Sequence, residues 1–274
     1  MATLQEFASA LLERGGRRAE EELEDEEQTE LLSPPFIHWG SEGRGRLQGN
    51  VRTAQVLLVV SQSAALSSLQ ACIRAESLTE EGIVFLEECS FRGEPQSNGV
   101  LTNCWKILSS KGSDVLIVVV GSQTWSQRYH ACAKLLCDSI IAHKTYIFDE
   151  LPRRRCGVEL SEQQSLLRFV STDEGLSLKE DPAVERLQML ETGSIIDGFS
   201  AALMSACQLR RRSAGLIVTL TNEADEVRHQ GRSGLPSLEL VQTLRAVLQA
   251  SGAETAPPTE AEVVEAAGSS ELYS

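Results

Sequence analysis

No run of apolar residues approaches the roughly 20 that a membrane-spanning helix needs. The longest candidate, Val115–Val120, is strand-sized. Two stretches of the chain lack basic residues altogether. Residues 20–30 carry eight acidic groups and no basic one, and residues 251–274 carry five and none. Of the formal net charge of −14, residues 1–19 contribute +1 and everything between the acidic stretches only −2. A nearly neutral body between acidic arms offers a polyanion little to hold, so neither nucleic acid nor a membrane is an expected partner. The first residues also lack an apolar signal region. Glu6 and Glu13 fall where one would run, and acidic residues are equally unlike a transit peptide. The expected compartment is therefore the cytosol, with the nucleus as a second location.

Metal and nucleotide signatures are absent as well. The seven cysteines (Cys72, Cys89, Cys104, Cys132, Cys137, Cys156 and Cys207) form no C-x-x-C pair and no Cys/His group at zinc spacing. Their odd number excludes complete internal pairing, and most lie in apolar periodic segments, so reduced buried thiols are expected. No Walker A and no G-x-G-x-x-G occurs. The glycine-rich stretch Gly40–Gly45 has no strand-to-helix context in the sequence that would make it a phosphate loop. No cofactor is expected.

An enzyme finds little support. Ser122 follows an apolar run, yet the G-x-S-x-G elbow fails at both glycine positions, which are Val120 and Thr124. A Ser122, His143, Asp149 triad can be written, but with His143 just before a strand it lies at the wrong edge of a sheet. His38, His130 and His229 are isolated. Of two basic triplets, Arg210–Arg212 ends a helix and complements its dipole. Arg153–Arg155 follows a strand and is the better candidate for contact with an acidic partner. The alternative reading is an α/β hydrolase or small-molecule-binding enzyme using strand-end loops around Ser61, Ser122 and Asp149.

What is present is an ordinary globular composition, 42% hydrophobic and 23% charged, over enough residues for one large core. Strand and helix signals alternate. Gln55–Val60 reads as a strand, Ser61–Ser63 as a turn and cap, and Leu66, Leu69 and Ile73 as one helical face. Gly82–Leu86 is a second strand. Val100–Leu108 and Asp114–Val120, joined by Ser109–Ser113, read as an antiparallel hairpin. A helix opened by Thr124 carries Tyr129, Ala133, Leu136 and Ile140, followed by a strand over Lys144–Phe148. Residues 149–193 read as polar and irregular around a short strand, Leu166–Val170. Ser194 opens a helix carrying Ile196, Phe199, Leu203 and Cys207. Gly215–Leu220 is a buried strand, Asn222–Pro236 a polar loop, and Ser237 caps a last helix carrying Leu238, Val241, Leu244 and Leu248. This order implies α/β architecture, a single mixed, mostly parallel sheet covered by helices. The expected organisation is an acidic, disordered arm over residues 1–35, one domain over 36–250 and a flexible tail over 251–274.

The tail ends on Leu272-Tyr273-Ser274. Only three tyrosines occur in the chain, and one stands beside the terminal carboxylate of a polar, acidic segment. Such an end can seat its leucine in an apolar recess, pack its ring and pair its carboxylate with a lysine.

These three residues resemble the hydrophobic-Tyr-X terminus of proteins that dock between α-subunits of the proteasome core particle. The body is similar in the same direction. Gln55–Val60 with Ser61–Ala65, the hairpin ending in Val115–Val120, the helix over 125–141, and Ile196–Leu203 followed by Gly215–Leu220 resemble, in order, the proteasome assembly chaperone 1 family. The resemblance spans roughly residues 36–250. It implies a chaperone without enzymatic activity that pairs with assembly chaperone 2, binds proteasome α-type subunits and promotes α-ring formation of the 20S core particle. It further implies that Leu272, Tyr273 and Ser274 are protein-binding residues. The stretch 149–193 departs from that pattern.

Overall fold

In a computed structural model, the structure describes residues 33–61, 63–86, 104–121, 126–156, 166–221 and 238–257. The architecture is built on one run of residues. Val56, Leu57, Leu58, Val59 and Val60 are all buried, so this strand needs apolar cover on both faces. It belongs to β3 (Val51–Val60), which pairs in parallel with β6 (Val115–Val119) on one side and β7 (Ile140–Pro152) on the other. β7 pairs in parallel with β10 (Ala214–Thr221).

Antiparallel strands extend this parallel centre in both directions. β5 (Trp105–Ser110) pairs with β6, β4 (Leu78–Phe85) with β5, and β1 (Phe36–Trp39) with β4. On the other side β8 (Leu167–Ser171) runs antiparallel to β10, and β9 (Gln188–Met189) parallel to β8. The order is β1-β4-β5-β6-β3-β7-β10-β8-β9, with the short β2 (Leu47–Gln48) against the start of β3.

Alternating side chains of β3 feed two cores. Leu57 and Val59 face a layer of α3 (Tyr129–Ser139) and α4 (Gly198–Leu209), whose apolar stripes include Cys132, Leu136, Phe199 and Leu203. Val56, Leu58 and Val60 face the layer of α2 (Ser63–Cys72) and α5 (Leu238–Ala250), through residues such as Leu69, Ile73, Leu244 and Leu248. The protein is thus a three-layer α/β/α sandwich around a single mixed sheet, as the alternation of strand and helix signals implies.

Several local expectations are corrected. Ile140 does not continue a helical face: its φ of −127° and ψ of 126° are extended, and it opens β7 by pairing with Arg52. The second strand begins at Leu78, and the region 149–193 holds the end of β7, β8, β9 and a 3-10 turn over Leu176–Glu180. The helix expected from Ser194 starts at Gly198. The glycine-rich stretch follows β1 directly and itself forms a single helical turn, α1 (Ser41–Arg44), with Gly40 and Gly45 as its caps. Its glycine serves packing: a Cβ on Gly43 would sit 2.3 Å from the carbonyl oxygen of Glu81. The expected caps Thr124 and Ser237 and the loop Asn222–Pro236 lie outside the described residues.

Two buried charge clusters fasten the edges. Glu81 occupies a bulge in β4, and its fully buried carboxylate accepts from Arg52 Nε at 3.0 Å and Arg46 Nη1 at 2.8 Å. Since β5 and β6 separate β4 from β3 in the sheet, this contact requires the β1–β4 edge to curl back toward β3. On the far side, Asp181 Oδ2 accepts from Lys144 Nζ at 2.7 Å and Tyr146 Oη at 2.8 Å, and Oδ1 from the Ala183 amide at 3.1 Å. Burial pushes the Asp181 carboxyl upward, but Lys144, the Ala183 amide and the Tyr146 hydroxyl outweigh it and hold the group below its ordinary value. Burial and the neighbouring carboxylate push the Tyr146 phenol up.

Removing one partner of a buried ion pair leaves an uncompensated charge. Arg52→Ala is expected to destabilise the fold by about 3–5 kcal/mol in urea denaturation. Lys106→Ala, which breaks a pair with Glu80 whose side chains are 56% and 45% exposed, should stay within about 1 kcal/mol. The lowered Asp181 carboxyl adds stability that is complete above its ordinary value of 3.8 and is lost as pH falls through the folded-state value. Asp181→Asn should therefore be less stable than the unmodified protein at neutral pH, by about 1–3 kcal/mol. The gap should narrow on acidification below 3.8 when stability is followed by denaturation across pH.

Candidate functional site

The parallel strands end together at one edge of the sheet, where an α/β protein usually places a ligand. At that edge Ser61 Oγ lies 2.9 Å from Asp149 Oδ1 and 3.0 Å from the Phe148 carbonyl oxygen. Asp149 also accepts the Glu150 amide at 2.9 Å. The serine thus ties the end of β3 to β7. Asp149 and His143 lie on the same strand, six positions and about 20 Å apart at 3.3 Å per residue. His143 stands inside β7 rather than before it, and the two cannot join one triad. Ser122 lies outside the described residues. Among the described residues no group of three or more His, Cys, Asp or Glu is placed to hold a metal ion, and no helix is long and apolar enough to cross a membrane.

The basic triplets are largely engaged internally. Arg155 pairs with Asp197 at 2.5 Å, Arg210 with Asp138 at 2.8 Å, and Arg212 donates to the Ile140 carbonyl at 2.7 Å. The first pair holds the end of β7 to the start of α4. The other two lock the end of α4 to the junction of α3 and β7. Arg211 takes a left-handed φ of 52°, unlike any other non-glycine residue described.

The terminal Leu272, Tyr273 and Ser274 lie outside the described residues, but the base of their tail does not. α5 ends in a Schellman motif. The Gly252 amide donates to the Gln249 carbonyl at 3.0 Å and the Ala253 amide to Leu248 at 3.0 Å, with Gly252 at φ 73° and Ala253 buried. The chain then turns back on α2. The Ala256 amide donates to the Cys72 carbonyl at 2.7 Å, satisfying an orphan acceptor at the end of that helix. Arg245, buried on α5, donates to the Ala256 carbonyl. The tail is thereby held to the body as far as Ala256.

This seat was not singled out by sequence reasoning. Its one visible signal is Arg245 between Leu244 and Leu248, a charge where the helical stripe calls for apolar cover. From Pro257 the remaining 17 residues can span at most about 60 Å fully extended. Beside the seat is a shallow pocket of about 170 Å³ lined by Arg74, Glu76, Ser77, Lys111, Glu254 and Thr255.

No protein-family model and no curated protein matches the chain. Solved structures share its fold. PbaB of Pyrococcus furiosus, described as an archaeal proteasome activator, aligns with a TM-score of 0.53 at 13% identity, over 88% of this chain and 97% of that one. PbaA of the same organism, described as an archaeal homolog of proteasome-assembly chaperone, aligns with a TM-score of 0.53 at 12% identity, over 87% and 94%. A Thermoplasma acidophilum protein of unknown function aligns with a TM-score of 0.52 at 14% identity, over 82% and 88%. At these identities the likeness establishes a shared fold across nearly the whole of each chain.

The seat makes a local prediction. A side chain at Gly252 must adopt a left-handed φ, at about 1 kcal/mol. Gly252→Ala should leave global stability within about 1–2 kcal/mol, since only one cap is strained. Exchange of the Ala256 amide, read by hydrogen–deuterium exchange, should speed up about fivefold or more.

Proposed function

We propose that this chain is a chaperone of proteasome assembly, acting by protein binding and without an enzymatic activity of its own. In this reading it pairs with a relative of the assembly chaperone 2 type, binds α-type subunits and promotes formation of the α-ring of the 20S core particle, in the cytosol or nucleus. The tail delivers Leu272, Tyr273 and Ser274 to a pocket between α-subunits, and the folded body supplies most of the contact area.

The observation that carries this reading is the fold shared with PbaA and PbaB over 87–88% of the chain, together with the residues Leu272-Tyr273-Ser274 after a polar, acidic segment. The seat at Ala256 supports it physically. A three-residue anchor binds weakly alone and gains from effective concentration when tethered beside a second contact. Holding residues 253–256 against α2 shortens the tether to residues 257–274 and fixes where it starts. The strand-end edge supports the non-enzymatic part, because Asp149 bonds Ser61 and lies far from His143 along β7.

The test is a pull-down from cell extract with the full chain and with Leu272–Ser274 deleted, read by mass spectrometry. α-Type subunits and a chaperone-2-like partner are expected with the full chain. The deletion should reduce the α-type subunits while leaving the partner and the thermal midpoint unchanged. Recovery of no proteasome subunit with either chain overturns the proposal.

A further inference from the structure

Two of the buried thiols face each other. Cys137 stands near the end of α3 and Cys207 near the end of α4, on helices that pack together over one face of the sheet. Their sulfur atoms are 3.9 Å apart, and the residues are 4% and 2% exposed. A disulfide needs about 2.05 Å between sulfurs, so the pair is short of a bond by roughly 2 Å. Cys104 and Cys156 are more exposed than this pair.

We propose that Cys137 and Cys207 form a redox modification site, closing to a disulfide under peroxide and reopening under thiol reductants. The inference is independent of the assembly role proposed above.

The surroundings give the two sulfurs different parts. Arg210 and Arg212 lie just past α4, fixed by Asp138 and the Ile140 carbonyl, and the positive charge of each acts on both thiols. The hydrogen bond shared with Cys207, aided by Arg212 and Arg210, holds Cys137 below the ordinary thiol range against burial and the Asp138 charge. The same hydrogen bond and burial push Cys207 up. Cys137 is thus the thiolate donor and Cys207 the resolving thiol.

The chemistry closes in two displacements. The Cys137 thiolate attacks one oxygen of hydrogen peroxide. An S–O bond forms, the O–O bond breaks, and the departing hydroxide takes up a proton as water. The Cys207 sulfur then attacks the Cys137 sulfenic sulfur. An S–S bond forms, the S–O bond breaks, and the leaving hydroxide takes the Cys207 proton as a second water. Two thiols lose two electrons in all, and one peroxide gains them.

The bond would staple α3 to α4 and close a loop between residues 70 positions apart. Constraining the unfolded chain in this way should raise the thermal midpoint by about 5–10 °C.

The test uses the full chain. It is treated with millimolar hydrogen peroxide, alkylated, digested with trypsin and mapped by mass spectrometry, beside an untreated sample. The expected product joins the peptide carrying Cys137 to the one carrying Cys207, is lighter by two hydrogen atoms and is reversed by dithiothreitol. Its thermal midpoint should rise, and Cys207→Ala should show neither change. If that variant does not fold, the map of the unmodified sequence decides alone. Recovery of Cys137 and Cys207 as separate alkylated peptides while Cys104 or Cys156 is oxidised overturns the proposal. So does Cys137 found as a sulfinic acid with no cross-link.

Discussion

The fold rests on the double burial of β3. A strand whose five consecutive residues Val56–Val60 all leave water cannot lie at the surface of a sheet, and it must have a helix layer on each face. The parallel neighbours β6 and β7 follow, because strands with the same direction need crossovers long enough to carry α2 and α3 across opposite faces. β10 continues the same rule through α4, and α5 completes the layer begun by α2. Peripheral strands then cover the edges of this parallel centre in antiparallel fashion. The position of the tail is a late consequence of the same burial. α5 packs against α2 to cover β3, so the chain leaving α5 meets the open carbonyls at the end of α2, and Ala256 takes one of them.

The sequence was most readable where burial and periodicity agree. The runs within β3, β6 and β10 are apolar without alternation, and the faces of α2 and α5 repeat at helical spacing, so these elements need only local information. The hairpin of β5 and β6 was legible from its turn residues. Ile140 shows where local reading stops. It lies four residues after Leu136 and fits the helical stripe, yet the backbone turns extended there because β3 offers Arg52 as a pairing partner. The strands β8 and β9 and the turn before Asp181 are likewise fixed by distant partners, Lys144 and Tyr146 among them, that no local pattern announces.

The candidate site divides in the same way. Leu272-Tyr273-Ser274 is a purely sequential signal, visible because a leucine and an aromatic follow a polar, acidic segment. The seat that holds the base of the tail is tertiary. It depends on Gly252 turning left-handed, on Arg245 reaching along α5 and on the Cys72 carbonyl at the end of α2 accepting the Ala256 amide. Histidine and aspartate positions that could be assembled into a triad on paper stand six positions apart along β7. The proposed function joins this sequential signal to the fold shared with PbaA and PbaB.

Under the proposed function this chain binds α-type proteasome subunits directly. Native mass spectrometry of the purified full chain mixed with purified α-type subunits measures that without an intermediary. A discrete complex containing this chain and one or more α-type subunits is expected. A spectrum that shows only the separate components at concentrations of several micromolar, with the chain folded, would contradict it.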